Sequence, residues 1–376
     1  MKLIHLSDLH LGKKVNEFSM IEDQEYILLK IRKIIEEQHP DAVLVAGDIF
    51  DRTVASEEAI KLWDGFLVSL AGDHIPLFAI PGNHDSAVRV SDHSDLVDTV
   101  GIHLSGPYDG TVRKVTLEDG DGDVNIYMLP FIKPVMVRSI FPDEEINDYT
   151  DACRVAIAHM DVNTSERNVL ITHQYVAGAA RCDSEDIPVG GLDSVDASVF
   201  DDFDYVALGH LHGPQSAGRK EVRYCGTPLK YSFSEKAHVK SVTVVDLGPK
   251  GTVDISEIPL VPRHDMREIR GTYDELVSRE NYEGTAVDDY ILAVLTDEND
   301  IYDAMPRLRT VYPNLMKIRY ENKRTSEMRE LSDDVDVKSK SPLELFEEFY
   351  ETQNNDKMSD EQREFAQKLI EAVWEG

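Results

Sequence analysis

The sequence predicts an α/β protein: a layered sandwich of strands flanked by helices, followed by a small α+β domain and a helical tail. Three observations point there. Short apolar runs of strand length occur at Lys2–Leu6, Ala42–Ala46, Ile75–Ile80, Asn168–Ile171 and Tyr205–Leu208. Amphipathic helical stretches separate the early runs, and the pattern turns strand-rich after Gly209. Sheets flanked by helices on two sides bury both of their faces in layers. Finally, Pro259 and Pro262 punctuate the chain before the alternation resumes on a smaller scale.

Taken in order, Ser19–Gln38 reads as a helix. Ser19 and Glu22 have capping-box spacing, and Ile27, Leu28, Ile31, Ile34 and Ile35 share one face. Ser56–Leu70 and Val88–Val100 are the next expected helices. Glu221–Cys225, Ser241–Leu247 and Thr252–Pro259 are expected strands. Past Pro262 the pattern gives strand Met266–Gly271, helix Tyr273–Arg279, strand Tyr290–Thr296, helix Tyr302–Tyr312 and strand Leu315–Glu321. Residues 322–340 are charged and poor in large apolar groups, as in a linker. Two capping boxes then open helices, Ser341-Pro342-Leu343-Glu344 and Ser359 with Gln362. Leu343, Leu345, Phe346, Phe349 and Tyr350 form one apolar face; Phe365, Leu369, Ala372 and Val373 form another. The expected domains are therefore 1–262, 263–321, a linker at 322–340 and a tail at 341–376. With no core of their own, the tail helices are expected to dock on a partner in preference to this chain.

Charge and cysteine content narrow the function classes. A net charge of -32 argues against a free-standing nucleic-acid binder, because phosphate neutralisation dominates such affinity. Arg307, Arg309, Lys317, Arg319, Lys323 and Arg324 nevertheless cluster, either as a mixed solvated surface or as a phosphate-contacting patch. Cys153, Cys182 and Cys225 are scattered, which suits reduced thiols. No stretch resembles a membrane span, so a soluble cytoplasmic protein is expected.

The chemistry is concentrated in five short runs, each after a predicted strand: Asp8-Leu9-His10, Gly47-Asp48-Ile49-Phe50-Asp51, Gly82-Asn83-His84-Asp85, Thr172-His173 and Gly209-His210-Leu211-His212. Open α/β sheets place ligands on the loops past their strand ends. Together the runs supply Asp, His and Asn without cysteine, a nitrogen-and-oxygen donor set suited to Mn, Fe or Zn and large enough for two ions. Glycine before Asp48, Asn83 and His210 lets the backbone turn and bring the next side chain inward. The set points to a two-metal phosphoesterase. His5 and His159 are expected to be structural.

The pattern D-x-H, G-D-x-x-D, G-N-H-D, a lone His and G-H-x-H resembles that of the calcineurin-like metallophosphoesterases. His5 to Lys13 and, more specifically, Tyr224-Cys-Gly-Thr-Pro-Leu-Lys-Tyr-Ser-Phe-Ser-Glu235 are similar to segments of the SbcD family of bacterial nuclease subunits. The resemblance implies a two-sheet sandwich with a capping domain. It implies that Asp8, His10, Asp48 and His212 hold one divalent metal and that Asp48, Asn83, His173 and His210 hold a second, with Mn2+ the expected ion. His84 becomes the candidate catalytic acid. Asp85 would orient it or simply cap a loop, and Asp51 would support a ligand histidine or do the same. The implied activity is 3′→5′ exonuclease and hairpin-opening endonuclease cleavage of DNA, together with an SMC-like coiled-coil ATPase bound through the tail helices. A homodimer is also implied, for which Trp63, Phe66, Leu67, Leu96 and Val97 could supply the surface or equally the core. The alternative substrate is a cyclic nucleotide or other small phosphodiester, which the net charge favours and the extra module and tail do not.

Overall fold

Why strands form here is plain from their burial: nearly every residue of the central ones is inaccessible, so their continuous apolar runs match two covered faces. The computed structural model describes residues 1–185, 194–322, 343, 346–347, 349–351 and 357–374. In chain order the strands are β1 (Lys2–Leu6), the short hairpin β2 (Lys14–Val15) and β3 (Phe18–Ser19), β4 (Ala42–Ala46), β5 (Leu77–Ile80) and β6 (Ile102–Leu104). Then come β7 (Arg113–Asp119), β8 (Gly122–Leu129), β9 (Arg167–His173), β10 (Tyr205–Gly209), β11 (Gln215–Ala217), β12 (Arg219–Tyr224), β13 (Ser241–Leu247) and β14 (Val253–Pro259).

These strands make two six-stranded sheets, ordered β14-β13-β1-β4-β5-β6 and β11-β12-β10-β9-β8-β7. In the first, β1, β4, β5 and β6 run parallel. In the second, β12, β10, β9 and β8 do. Alternate residues of each strand sort into different cores. Leu3, Leu44, Phe78, Ile126, Met128, Ile171 and Tyr205 pack between the sheets. Ile4, Val43, Val45 and Ala79 face the opposite way, onto Ile27, Ile31, Ile35, Trp63 and Phe66 of helices Ile21–Gln38 and Glu57–Gly72. Tyr127, Leu170, Val206 and Leu208 likewise face Val137, Ala152, Cys153 and Ala156 of helices Pro134–Ile140 and Tyr149–Ala158. The result is helix, sheet, sheet, helix.

A third, three-stranded parallel sheet follows: β15 (Met266–Gly271), β16 (Tyr290–Leu295) and β17 (Leu315–Tyr320). It has its own core of Leu276, Ile291, Ala293, Leu295, Leu308, Tyr312 and Leu315. It is seated on the sandwich through Met266, Tyr290 and Met316. Asp23 receives Tyr290 Oη at 2.6 Å and lies 2.9 Å from His264 Nδ1.

Several boundaries differ from those expected. Ser19 does not cap the first helix, because it pairs with Lys14 in the β2–β3 hairpin and leaves Met20 at the cap position. Ser56 does cap its helix, accepting from Ala59 N. The expected helix Val88–Val100 is broken at His93, whose φ of 59° is left-handed; only Ala87–Val90 and Ser94–Asp98 are helical. Tyr273–Arg279 yields two single turns, Tyr273–Leu276 and Arg279–Tyr282, the first closed by a Thr272–Glu275 capping box. Tyr302–Tyr312 shortens to Ala304–Leu308 after Asp303 at φ 48°. Trp63 and Phe66 are buried in the core, whereas Leu96 is 70% exposed.

In the tail, Ser359 and Gln362 exchange their capping-box bonds at 2.9 and 3.2 Å and open helix Asp360–Trp374. The Ser341–Glu344 box, nearly all of the 322–340 linker, and Lys323 and Arg324 lie outside the described residues. Among the described residues no helix is long and apolar enough to cross a membrane.

Candidate metal centre

The parallel strands of both sheets deliver five loops to one rim of the sandwich. β1 leads into Asp8 and His10, β4 into Asp48, β5 into Asn83 and His84, and β10 into His210 and His212, while β9 ends on His173 itself. The register Gly209↔His173 sets His210 one residue beyond its neighbour, and their rings lie 5.4 Å apart.

All seven expected ligands meet there. His10 Nε2 is 3.2 Å from His212 Nε2 and 3.8 Å from Asp48 Oδ2. His173 Nε2 lies 3.4 Å from Asp48 Oδ2 and 3.0 Å from Asn83 Oδ1, and His210 Nδ1 lies 3.1 Å from the same Asn83 oxygen. Asp8 closes the set, grouped with His10 and His212 on one side and with Asp48 and His173 on the other. Asp48 is grouped with Asp8 and His173 and also with His10 and His84, so it too stands between two clusters.

Local backbone geometry makes this possible at a cost. Asp8, His10, Asp48 and His210 all have positive φ, at 53°, 44°, 49° and 110°. Such conformations cost about 1–3 kcal/mol each for ordinary residues and concentrate at functional sites. The glycines serve a different purpose from the tight turning expected of all three. Gly47 does need its φ of 84°, but Gly82 and Gly209 matter for closeness. A Cβ on Gly82 would overlap the Asp48 carboxylate, and one on Gly209 would overlap the Ala46 carbonyl.

Electrostatics fit a dication. Burial pushes the Asp8 carboxyl up to about 6, with Asp48 adding to the push and His173 opposing it. Burial would raise Asp48 too, but the charge of His173 overrides it and holds Asp48 far below the carboxylate range. His173 is correspondingly driven up to about 9, its own burial outweighed by Asp48. Burial keeps His10 well below its ordinary value and takes His210 down to about 3, so both stay neutral, the form in which imidazole binds a metal. His173 Nδ1 donates to Ala46 O at 2.8 Å, which turns Nε2 inward. A proton on His173 compensates the buried carboxylates of the protein alone; divalent ions among these nitrogen and oxygen donors would do so more fully. Cys182 also lies near His212 and Glu235, but burial pushes its thiol up to about 12 and leaves it protonated.

Asp85 does not act on the His84 ring in the way one expectation held. Its oxygens accept from Ile49 N, Phe50 N and Gly82 N at 3.1, 2.9 and 2.9 Å, stapling the Asp48 and Asn83 loops together. The ring of His84 is instead held by Asp51 O, 3.1 Å from Nδ1. The Asp51 carboxylate bonds Lys13 at 2.6 Å and stays 3.9 Å from His10 Nδ1. His5 is structural: it is fully buried, with Nδ1 2.9 Å from Tyr205 Oη in the opposite sheet.

Residues outside the five ligand-bearing runs complete the surround. Tyr231 Oη donates to Leu9 O at 2.6 Å, and Gln24 Nε2 donates to His10 O at 2.7 Å. Glu185 accepts from His212 N at 2.7 Å. Glu235 is held at about 2, burial being outweighed by His212 and Lys240. The conspicuous Tyr224–Glu235 segment was the one sequence signal for this layer; nothing marked Glu185 or Lys240.

A family model described as calcineurin-like phosphoesterase matches residues 1–214, and one described as type 5 capsule protein repressor C-terminal domain matches residues 262–354. The chain is 29% identical over 377 residues to the D subunit of the nuclease SbcCD from Staphylococcus epidermidis, covering 99% of each chain. Among solved structures it is similar to a protein of Thermus thermophilus (13% identity, TM-score 0.40, covering 68% of this chain and 98% of that one). A dimetal phosphatase from Danio rerio is similar to the same degree (10% identity, TM-score 0.40, covering 68% and 95%).

Proposed function

The chain belongs to the calcineurin-like phosphoesterase family, and from that premise we propose that it is a metal-dependent DNA nuclease subunit. One observation carries the reading: seven Asp, Asn and His side chains, Asp48 among them, converge from the rims of two sheets. The full-length likeness to a nuclease subunit extends the reading from phosphoester hydrolysis in general to nucleic acid, and it disfavours a small phosphodiester as the substrate.

Two divalent ions, which we assign as Mn2+, would supply a bound water acidified for attack and positive charge beside the reacting phosphate. Asp8, His10, Asp48 and His212 are assigned to one ion, and Asp48, Asn83, His173 and His210 to the other. A carboxylate has two oxygens, so Asp48 is the shared ligand. Asn83 contributes a neutral oxygen, which limits the negative charge met by an incoming phosphate. His84, partly exposed and held through Nδ1–H by Asp51 O, is assigned as the acid for the leaving oxygen. The strong acidity of the chain suits a subunit that meets DNA together with a partner. We assign that partner as an SMC-like ATPase bound by the tail, where Phe346, Phe349 and Phe365 are 43%, 60% and 65% exposed. A homodimer and a cytoplasmic location belong to the same proposal.

The purified chain should be incubated with a DNA hairpin and with a chromogenic phosphodiester, in Mn2+ or Mg2+, with and without the ATPase. The proposal predicts cleavage of both substrates, with Mn2+ well ahead of Mg2+, since imidazole ligands suit Mg2+ poorly. Hydrolysis of the small ester alone, with the hairpin intact under every condition, would return the alternative substrate to favour.

A further inference from the structure

The Tyr224–Glu235 segment supplies none of the seven expected ligands, yet its Glu235 lies within metal-binding reach of His212 and Cys182. Glu235 is fully buried, and both of its oxygens are engaged. Oε2 accepts from the Lys240 ammonium at 2.5 Å, and Oε1 accepts from the Ser184 hydroxyl at 2.6 Å and from Tyr231 N at 3.2 Å. A serine hydroxyl has a single proton, and the bond to Glu235 uses it. Toward His212 Nδ1, 2.7 Å away, Ser184 Oγ must therefore accept. Nδ1 then carries the hydrogen. A neutral imidazole has only one N–H, so Nε2 presents its lone pair on the side where it faces His10 Nε2 and Asp8.

The direction of this chain is set by its ends. An ammonium can only donate and a carboxylate can only accept, so every proton points toward Glu235. Lys240 also donates to His212 O at 2.8 Å and to Thr227 Oγ1 at 2.7 Å, so one buried cation grips both the backbone of His212 and the carboxylate behind its ring. We propose that Lys240, Glu235 and Ser184 form a directional hydrogen-bond relay that locks His212 in its Nδ1–H tautomer, leaving Nε2 free to ligate a divalent ion. Glu235 and Ser184 are positioning residues in this scheme, which rests on the two-metal reading of the rim. It also gives the Tyr224–Glu235 segment a physical role, that of bracing a ligand histidine from outside the ligand set.

Glu235→Gln offers a sharp test because it preserves size while reversing the relay. Facing Lys240 the amide presents its oxygen, so its NH2 turns to Ser184 and leaves Tyr231 N without its acceptor. The hydroxyl then donates to His212 Nδ1, and the ring proton moves to Nε2, where it blocks ligation. The experiment is calorimetric titration of Mn2+ into the metal-stripped full-length chain, paired with 15N chemical shifts of the His212 ring. Wild type should take up two ions and show a protonated Nδ1. Glu235→Gln should shift the proton to Nε2 and weaken one of the two sites 10–100-fold, leaving the other unchanged. Ser184→Ala should weaken the same site, and Ser184→Thr, which keeps the hydroxyl, should restore it. Should Glu235→Gln fail to fold, the Ser184 pair decides the matter. Two ions bound at wild-type affinity by Ser184→Ala, or a wild-type His212 protonated on Nε2, would overturn the relay alone. A wild-type chain that binds no Mn2+ would instead overturn the two-metal reading beneath it.

Discussion

The two halves of the rim solve one problem by different means. On the side of His10 and His212, side chains do the holding: Tyr231, Gln24, Glu185, Glu235 and Lys240 reach in from other elements to fix the loops and the His212 ring. On the side of Asn83, His173 and His210, close backbone packing does most of it, with the Asp85 carboxylate tying the Asn83 loop to the Asp48 loop. His173 bonds Ala46 O directly, and Gly82 and Gly209 bring neighbouring strand ends closer than any side chain would allow. The first half should therefore respond to substitution in graded steps. The second should fail abruptly.

Gly209→Ala is the harshest test of that contrast. Its methyl would strike the Ala46 carbonyl, which also anchors His173, so neither neighbour can give way without moving a ligand. The cost should exceed the ~1–3 kcal/mol of ordinary overpacking. Urea denaturation should show a large loss of stability, and any folded fraction should have lost an ion. A variant that folds and binds metal normally would show that the two halves are not held differently.

His84→Ala comes next. His84 lies on a loop of the second half but belongs to neither ligand set. Turnover of a chromogenic phosphodiester should fall on the order of 10²–10⁴-fold with Mn2+ stoichiometry intact. Loss of an ion instead would move His84 into the metal set.

A smaller effect concerns what ties the halves together. His5 on β1 bonds Tyr205 on β10 across the sandwich, and burial, aided by Arg223, lowers its pKa from 6.5 to about 3. Because the folded value lies below the unfolded one, the unfolded chain takes up the proton first as pH falls. The stability His5 contributes is complete above pH 6.5 and is lost through the window down to about 3. Relative to His5→Gln, the metal-free wild type should lose about 1.4 kcal/mol per pH unit across that window. Parallel pH profiles for the two proteins would show that the cross-sheet contact does not depend on a neutral His5.

The same contrast explains what was legible in the sequence. Asp8, His10, Asp48, Asn83, His173, His210 and His212 could be listed in advance because each directly follows or ends a strand within a short motif, and strand ends are easy to find. Asp85 was half visible: both of its expected roles lay open in the sequence, and the structure places three backbone amides at its carboxylate. The Ser19 cap failed because a two-residue hairpin captured Ser19, and the Val88–Val100 helix failed at a left-handed His93 that periodicity does not register. The hairpin β7–β8 and the helices after it, within residues 101–166, had no assignment at all. Bracing residues such as Ser184 and Lys240 are set by contacts between distant segments, which no local pattern encodes.

A rim that holds two ions through a shared Asp48 can be probed by the metal content of Asp48→Asn against wild type, with chains reconstituted in Mn2+ and desalted before elemental analysis. Wild type should hold two ions per chain and the variant close to none, since both clusters lose their common carboxylate. One tightly held ion remaining in Asp48→Asn would mean that the two clusters are independent and that Asp48 belongs to only one.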